Sequence, residues 1–349
     1  MAPGQARVQH DLGAGRAADS EARRLTGSNR HVPGVTRVAR RTRIVSLLVI
    51  LLALGGLAHL VWSSMTGRGG RPVEGTRAVA DAGGRELVYY ERRPVPRARH
   101  PHPVVLLASL ARSVGDFNEL TNALVGAGFR TIAIESRGIG GSQGGGPGQS
   151  ITLHDLAADI EVVLQHMGLD SEQPVHLVGH AFGNRVVRTY ARDRPERAAS
   201  VSLIAAGGLV PVSAKIERAL LASVASFLPW SQRERALRLA FFSEGNEIPE
   251  YWRGGWWLWG GLAQGVATTS TRSDEFWDAG RARLLVLQAE DDVIAPFEDS
   301  GLRLLESFPE RVELIRVPHA GHAFLPEQPD RIQRALLDFF EDVEGGRRR

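Results

Sequence analysis

The chain has 349 residues, of which 43% are hydrophobic and 23% charged, the composition of a globular protein with room for one large α/β domain of roughly 250 residues plus extensions. It has no cysteine, so disulfides, zinc–thiolate sites and a cysteine nucleophile are excluded. The net charge of +3 is uneven: residues 1–43 hold nine Arg against three acids and residues 64–100 eight against four, leaving about −7 from residue 101 onward, a balance that argues against nucleic-acid binding.

Residues 1–43 are rich in Gly, Ala, Arg and Ser and show no apolar period, so a disordered basic arm is expected. Gly13–Ala18 fits G-x-G-x-x-A formally, but no strand precedes it and no helix pattern follows, so it is not read as a dinucleotide site. Ile44–Trp62 (IVSLLVILLALGGLAHLVW) carries no formal charge. As a helix it spans roughly 28 Å, enough for a bilayer core, and it predicts a single-pass transmembrane helix. A cleaved signal peptide is the rival reading. The long N-terminal region, the length of the apolar run and the lack of an A-x-A site favour an uncleaved anchor. Arg30, Arg37, Arg40, Arg41 and Arg43 crowd the N-terminal flank, whereas Arg68, Arg71 and Arg77 follow more sparsely. The positive-inside rule then places the N-terminus in the cytoplasm and the main domain outside.

Residues 63–79 are read as a stalk, and 80–343 as the folded domain. After an early strand at 85–91, short apolar runs at 103–108, 130–135, 174–179, 199–205, 283–288 and 311–317 alternate with helix-length amphipathic segments. That rhythm predicts an α/β fold with a mainly parallel sheet covered on both faces. Residues 207–280 break it: they are partly helical, then rich in Trp and Gly, and are read as an inserted cap. Residues 344–349 are read as a solvated basic tail.

Five motifs occur in order. PVVLLASLARSVGDF (103–117) is a strand followed by a loop, and ESRGIGGS (135–142) follows the next strand. GHAFG (179–183) is a strand-to-helix corner, AEDDVIAP (289–296) delivers an acid, and AGHAFLPEQP (320–329) delivers a histidine. Together they resemble the α/β-hydrolase family over roughly residues 80–343. The resemblance implies that Asp292 orients His322, that His322 is a general base, and that the N–H groups of Phe182 and Leu110 form an oxyanion hole. It implies no cofactor and no metal. The family's corner reads G-x-S-x-G, and here the nucleophile position is Ala181. The family's His-Gly before the oxyanion loop has become Ala108-Ser109.

Three readings follow. The site acts without a covalent step, with His322 removing a proton from water or substrate. The protein is instead a catalytically inactive relative that binds a small ligand or a protein partner. Or a hydroxyl from elsewhere substitutes, Ser109 and Ser113 being nearest by motif. In YWRGGWWLWGG (251–261) the preferred reading of the aromatics is the core of the cap; as a roof over the site, Trp256, Trp257 and Trp259 would, with His180, line a pocket for a small hydrophobic substrate.

Overall fold

The computed structural model describes residues 33–345 apart from 66, 68, 69, 147 and 170. The expectations for arm residues 1–32, with their G-x-G-x-x-A match, and for tail residues 346–349 lie outside the described residues. Helix α1 runs Pro33–Met65, and its segment Arg41–His59 is long and apolar enough to cross a membrane. It starts inside the stretch read as an arm and ends beyond residue 62. Charge set the boundaries of the apolar run, but charge does not end a helix. Arginine is a good helix former, and proline is tolerated in a first turn. The chain divides into two compact units between Gly55 and Gly56.

The second unit holds the sheet. Strands β1 (Thr76–Asp81) and β2 (Glu86–Arg92) form an antiparallel hairpin. There follow β3 (Val104–Leu107), α2 (Asn118–Ala127), β4 (Thr131–Ile134), α3 (Leu153–His166), β5 (Val175–His180), α4 (Phe182–Asp193) and β6 (Ala198–Ile204). Three helices interrupt the alternation: α5 (Ala214–Val224), α6 (Trp230–Ala240) and α7 (Leu258–Ser270). The chain resumes with β7 (Leu284–Ala289), α8 (Gly301–Ser307), β8 (Val312–Val317) and α9 (Pro329–Glu344). The strand order is β1-β2-β4-β3-β5-β6-β7-β8. From β4 to β8 every pairing is parallel.

The inner strands are continuous apolar runs because both faces are covered. Side chains from α3, α4 and α8 (Ile160, Val187, Leu304) pack on one face. Leu120 and Leu124 of α2 and Leu336 and Phe340 of α9 pack on the other. The interruption between β6 and β7 has its own core, in which Trp252, Trp256, Phe241 and Leu237 are buried with Ala111 and Ala323 from the sheet loops. Helices α5, α6 and α7 lie within residues 207–280, the stretch read from the sequence as a cap.

The stalk is shorter than 63–79. Strand β1 begins at Thr76, and the residues before it are already fixed to the domain. The Arg71 guanidinium donates to both Glu119 oxygens at 2.8 and 2.7 Å. Asn118 donates from Nδ2 to the Pro72 carbonyl at 2.9 Å and accepts from the Glu74 N–H at 3.1 Å. A short edge strand behind Pro and Gly gives little period-2 signal, so sequence alone places the domain start too late.

Candidate active site

Strand β5 ends at His180, and α4 starts at Phe182. Between them Ala181 sits at φ 50°, ψ −104°, a corner that costs a non-glycine residue about 1–3 kcal/mol. Its N–H donates to the Ile204 carbonyl of β6 at 2.9 Å. The corner is feasible only with glycine on either side. A Cβ at Gly179 would lie 2.5 Å from the Asn184 nitrogen, and one at Gly183 would lie 2.1 Å from the Leu107 carbonyl oxygen. Of the six non-glycine residues at positive φ among the described residues, five follow strands at this end of the sheet: Ala111, Ala181, Ala205, His319 and Phe324. Backbone strain is thus concentrated where the motifs converge.

His322 Nδ1 lies 2.8 Å from Asp292 Oδ2, and both side chains are buried. Asp292 Oδ1 accepts from the N–H groups of Ile294 and Ala295 at 2.9 and 2.8 Å. The carboxylate is therefore fixed as an acceptor, which makes the ring Nδ1 the donor and leaves Nε2 as the basic atom. The loop carrying His322 is held by Glu327. Its Oε2 accepts from the N–H of Gly321 at 2.9 Å and of Phe324 at 3.0 Å. Its Oε1 accepts from the Ser243 N–H at 2.8 Å and from Asn246 Nδ2 at 2.7 Å. This is the physical reason for a glutamate five residues after the histidine.

The resemblance names the N–H groups of Phe182 and Leu110 as oxyanion donors. Phe182 is the first residue of α4, and a helix leaves its first N–H groups without intrahelical partners. Leu110 sits on the loop after β3, half-buried. The next amide, that of Ala111, is already committed: it donates to Gln264 Oε1 of α7 at 2.7 Å. Ser109 is buried on this loop, and its carbonyl accepts from the Arg112 N–H at 3.1 Å. Ser113 Oγ donates to Glu135 Oε1 at 2.5 Å rather than to a histidine.

Two pocket residues change role. His180 is buried, and its Nε2 lies 3.0 Å from the His322 carbonyl oxygen. It ties the elbow strand to the base loop as a positioning residue. Burial first, and the nearby His322 second, lower its pKa to about 4, so it is neutral and donates that bond. Trp256 is only 2% exposed, donates from Nε1 to the Trp252 carbonyl, and has the Arg112 guanidinium 4.7 Å from its ring centroid. It is cap core, because an indole of its size stabilises most where it is enclosed. Trp257 and Trp259 remain half-buried. Trp257 lines a cleft of about 250 Å³ with Arg71, Arg112, Ser113 and Glu135. A second cleft of about 590 Å³ lies between the β1–β2 hairpin and α3, lined by Arg85, Arg137, Asp159 and His166. Neither includes Ala181 or His322. The chemistry is better located by the hydrogen-bonded dyad than by the size of these openings.

Glu135, the first residue of the ESRGIGGS motif, is buried beneath the oxyanion loop and also accepts from the Val114 N–H at 3.2 Å. Burial pushes its carboxyl up to about 7; the Ser113 and Val114 hydrogen bonds oppose this, and Asp116 adds to it. Folding therefore tightens proton binding relative to the usual value of 4.5, and stability falls as pH rises from about 4.5 to about 7. Glu135→Gln should be the more stable form at pH 8 by up to about 3 kcal/mol, and that advantage should shrink towards pH 5. Urea unfolding at both pH values checks this, a pH-independent difference being the contrary result.

Residues 99–329 match the model of the serine aminopeptidase S33 hydrolase family. The chain belongs to this α/β-hydrolase family. It is 30% identical over 256 residues, 69% of its length and 92% of the relative's, to a Variovorax paradoxus protein named as a carbamate hydrolase, RutD. In structure it is similar to an esterase of Thermogutta terrifontis, with a TM-score of 0.62 at 21% identity over 77% of this chain and 99% of that one. It is equally similar to a bromoperoxidase of Bacillus anthracis, with a TM-score of 0.62 at 21% identity over 76% of this chain and 100% of that one. This S33-family chain has the α/β-hydrolase sheet, a methyl group at Ala181 in the corner between β5 and α4, and a hydrogen bond between His322 and Asp292.

Proposed function

We propose that this S33-family protein is a membrane-anchored base catalyst acting on a small hydrophobic substrate without an acyl-enzyme. His322 Nε2 removes a proton from water or from the substrate, and Asp292 stabilises the imidazolium that forms. The N–H groups of Phe182 and Leu110 donate hydrogen bonds to the oxygen on which negative charge develops. The observation that carries this reading is the buried 2.8 Å bond between His322 and Asp292 beside a corner that keeps its strain without its hydroxyl. Helix α1 is the anchor, with its arginine-rich N-terminal flank in the cytoplasm and the catalytic domain on the other side.

The test is turnover by the full chain on panels of esters, epoxides and lactones, with His322→Ala as control. The expected result is at least one substrate turned over, with a loss of about 10²- to 10⁴-fold in His322→Ala. Equal turnover by both forms removes the base from the mechanism. The second reading, an inactive relative that binds a ligand or a partner, is favoured by one observation: neither of the two clefts described above is lined by Ala181, Asp292 or His322. Binding without turnover across the panels would select it.

A further inference from the structure

Helix α4 carries two cations that the catalytic reading does not use. Arg185 and Arg188 are neighbours on one face of the helix, a turn apart. Arg188 is fully enclosed and Arg185 half-buried. Both guanidinium groups lie over the Phe276 ring, 6.0 and 5.0 Å from its centroid, and Arg188 is also 4.9 Å from that of Trp277. Arg188 donates from Nε to the Asn184 carbonyl at 3.2 Å and from Nη2 to the Gly207 carbonyl. Its Nη1 has no hydrogen-bond partner among the described residues.

Neither cation is answered by an acid. Burial lowers the pKa of Arg185, and burial first and the Arg185 charge second lower that of Arg188 to about 9, with no carboxylate opposing either shift. Both groups therefore stay charged at neutral pH. The acids of the adjoining segment are paired elsewhere: Asp274 with Arg272 at 2.6 Å, Glu275 with His154 at 3.2 Å and Asp278 with Arg192 at 2.6 Å. An enclosed charge without a counter-charge is among the largest penalties a fold carries, and a second like charge beside it adds to the penalty. The stacked rings cover guanidinium faces by cation–π contact, which leaves the N–H edges for an anion.

The pair stands beside the loop of the candidate acid. A Cβ at Gly207, whose carbonyl Arg188 holds, would lie 3.2 Å from the Ala295 Cβ, and the Ala295 N–H donates to Asp292 at 2.8 Å. At Gly208 a Cβ would come within 3.2 Å of the Phe276 ring and 3.5 Å of Arg188 Nη2, so bare backbone passes the guanidinium. We propose that Arg185 and Arg188 form an anion subsite for the carboxylate of a small organic acid, with Arg185 taking the carboxylate oxygens and Arg188 supplying charge behind it. The planar fork of a guanidinium matches a carboxylate edge to edge. The proposal rests on the catalytic reading only for the reacting end of such a ligand, which it places towards His322; binding of the anion does not depend on that chemistry.

Titration calorimetry on the full chain in detergent tests this, with phenylacetate, its neutral amide phenylacetamide and inorganic phosphate as probes at neutral pH. The acid should bind at least about tenfold more tightly than the amide, the difference a charge-assisted bond makes. Arg185→Gln, at a half-buried position, should remove that preference and leave amide binding within about twofold. Arg185→Lys keeps the charge and should restore most of the preference, which a purely structural arginine would not require. His322→Ala should bind the acid as the parent does. A chain that prefers the acid but turns over no substrate therefore keeps the subsite and loses only the catalytic reading. Failure of the parent to prefer the acid, or a preference that survives Arg185→Gln, overturns the subsite. Phosphate binding as tight as that of the acid overturns the assignment to a carboxylate.

Discussion

Ala181→Ser should convert the protein into a labelled serine hydrolase. The added hydroxyl is one heavy atom, placed on a backbone already at the φ and ψ of the corner. His322 is held by Asp292 as a base, and the Phe182 N–H follows the corner directly. These are the parts that activate a serine and stabilise its tetrahedral adduct. The parent should show no labelling by a fluorophosphonate probe and no turnover of an activated short-chain ester through a covalent intermediate. The variant should show both, with a gain of about 10³-fold or more. If the variant folds but is not labelled, the Ala108–Leu110 loop does not present its donors, and the ligand-binding reading takes precedence. If the parent itself is labelled, a serine elsewhere is the nucleophile, and Ser109 is the first to replace.

Gly183→Ala should unfold the corner. The added methyl would stand 2.1 Å from the Leu107 carbonyl oxygen and 2.9 Å from that of Ala108. Both are backbone atoms of β3 and the loop it feeds, so relief requires α4 to move off the sheet. The expected loss is about 3 kcal/mol, the upper end for overpacking, or roughly 6–12 °C in Tm. Thermal unfolding followed by circular dichroism measures it. A change of under a degree would show that α4 and β3 are looser than this packing implies. Ala181→Ser carries no such penalty, so the two variants separate chemistry from architecture at positions two residues apart.

The sheet was legible because its inner strands are unbroken apolar runs between amphipathic helices. The motifs that follow those strands gave the order of acid and histidine. The dyad was readable for the same reason: strand ends on one side of a parallel sheet meet. What stayed hidden depends on contacts distant in sequence. Gln264 reaches the Ala111 N–H from 153 residues away, and His180 reaches the His322 carbonyl from 142. No local pattern marks either. The tryptophans left two readings open because type alone does not say which face an indole takes. Trp256 is enclosed by Trp252, Phe241 and Arg112, while Trp257, one residue on, lines a cleft. The helix start at Pro33 was missed because an apolar run ends with the first charges and a helix does not.

Glu327 joins the cap to the loop of His322. One carboxylate oxygen holds the loop of His322 through Gly321 and Phe324, and the other holds Ser243 and Asn246 just after α6. The Phe241 carbonyl adds a bond from the Ala323 N–H at 2.8 Å. Moving the end of α6 away from the loop of His322 would break the bonds that Glu327 accepts from Ser243 and Asn246 and the Ala323–Phe241 backbone bond, so a change in the cap is felt at the imidazole.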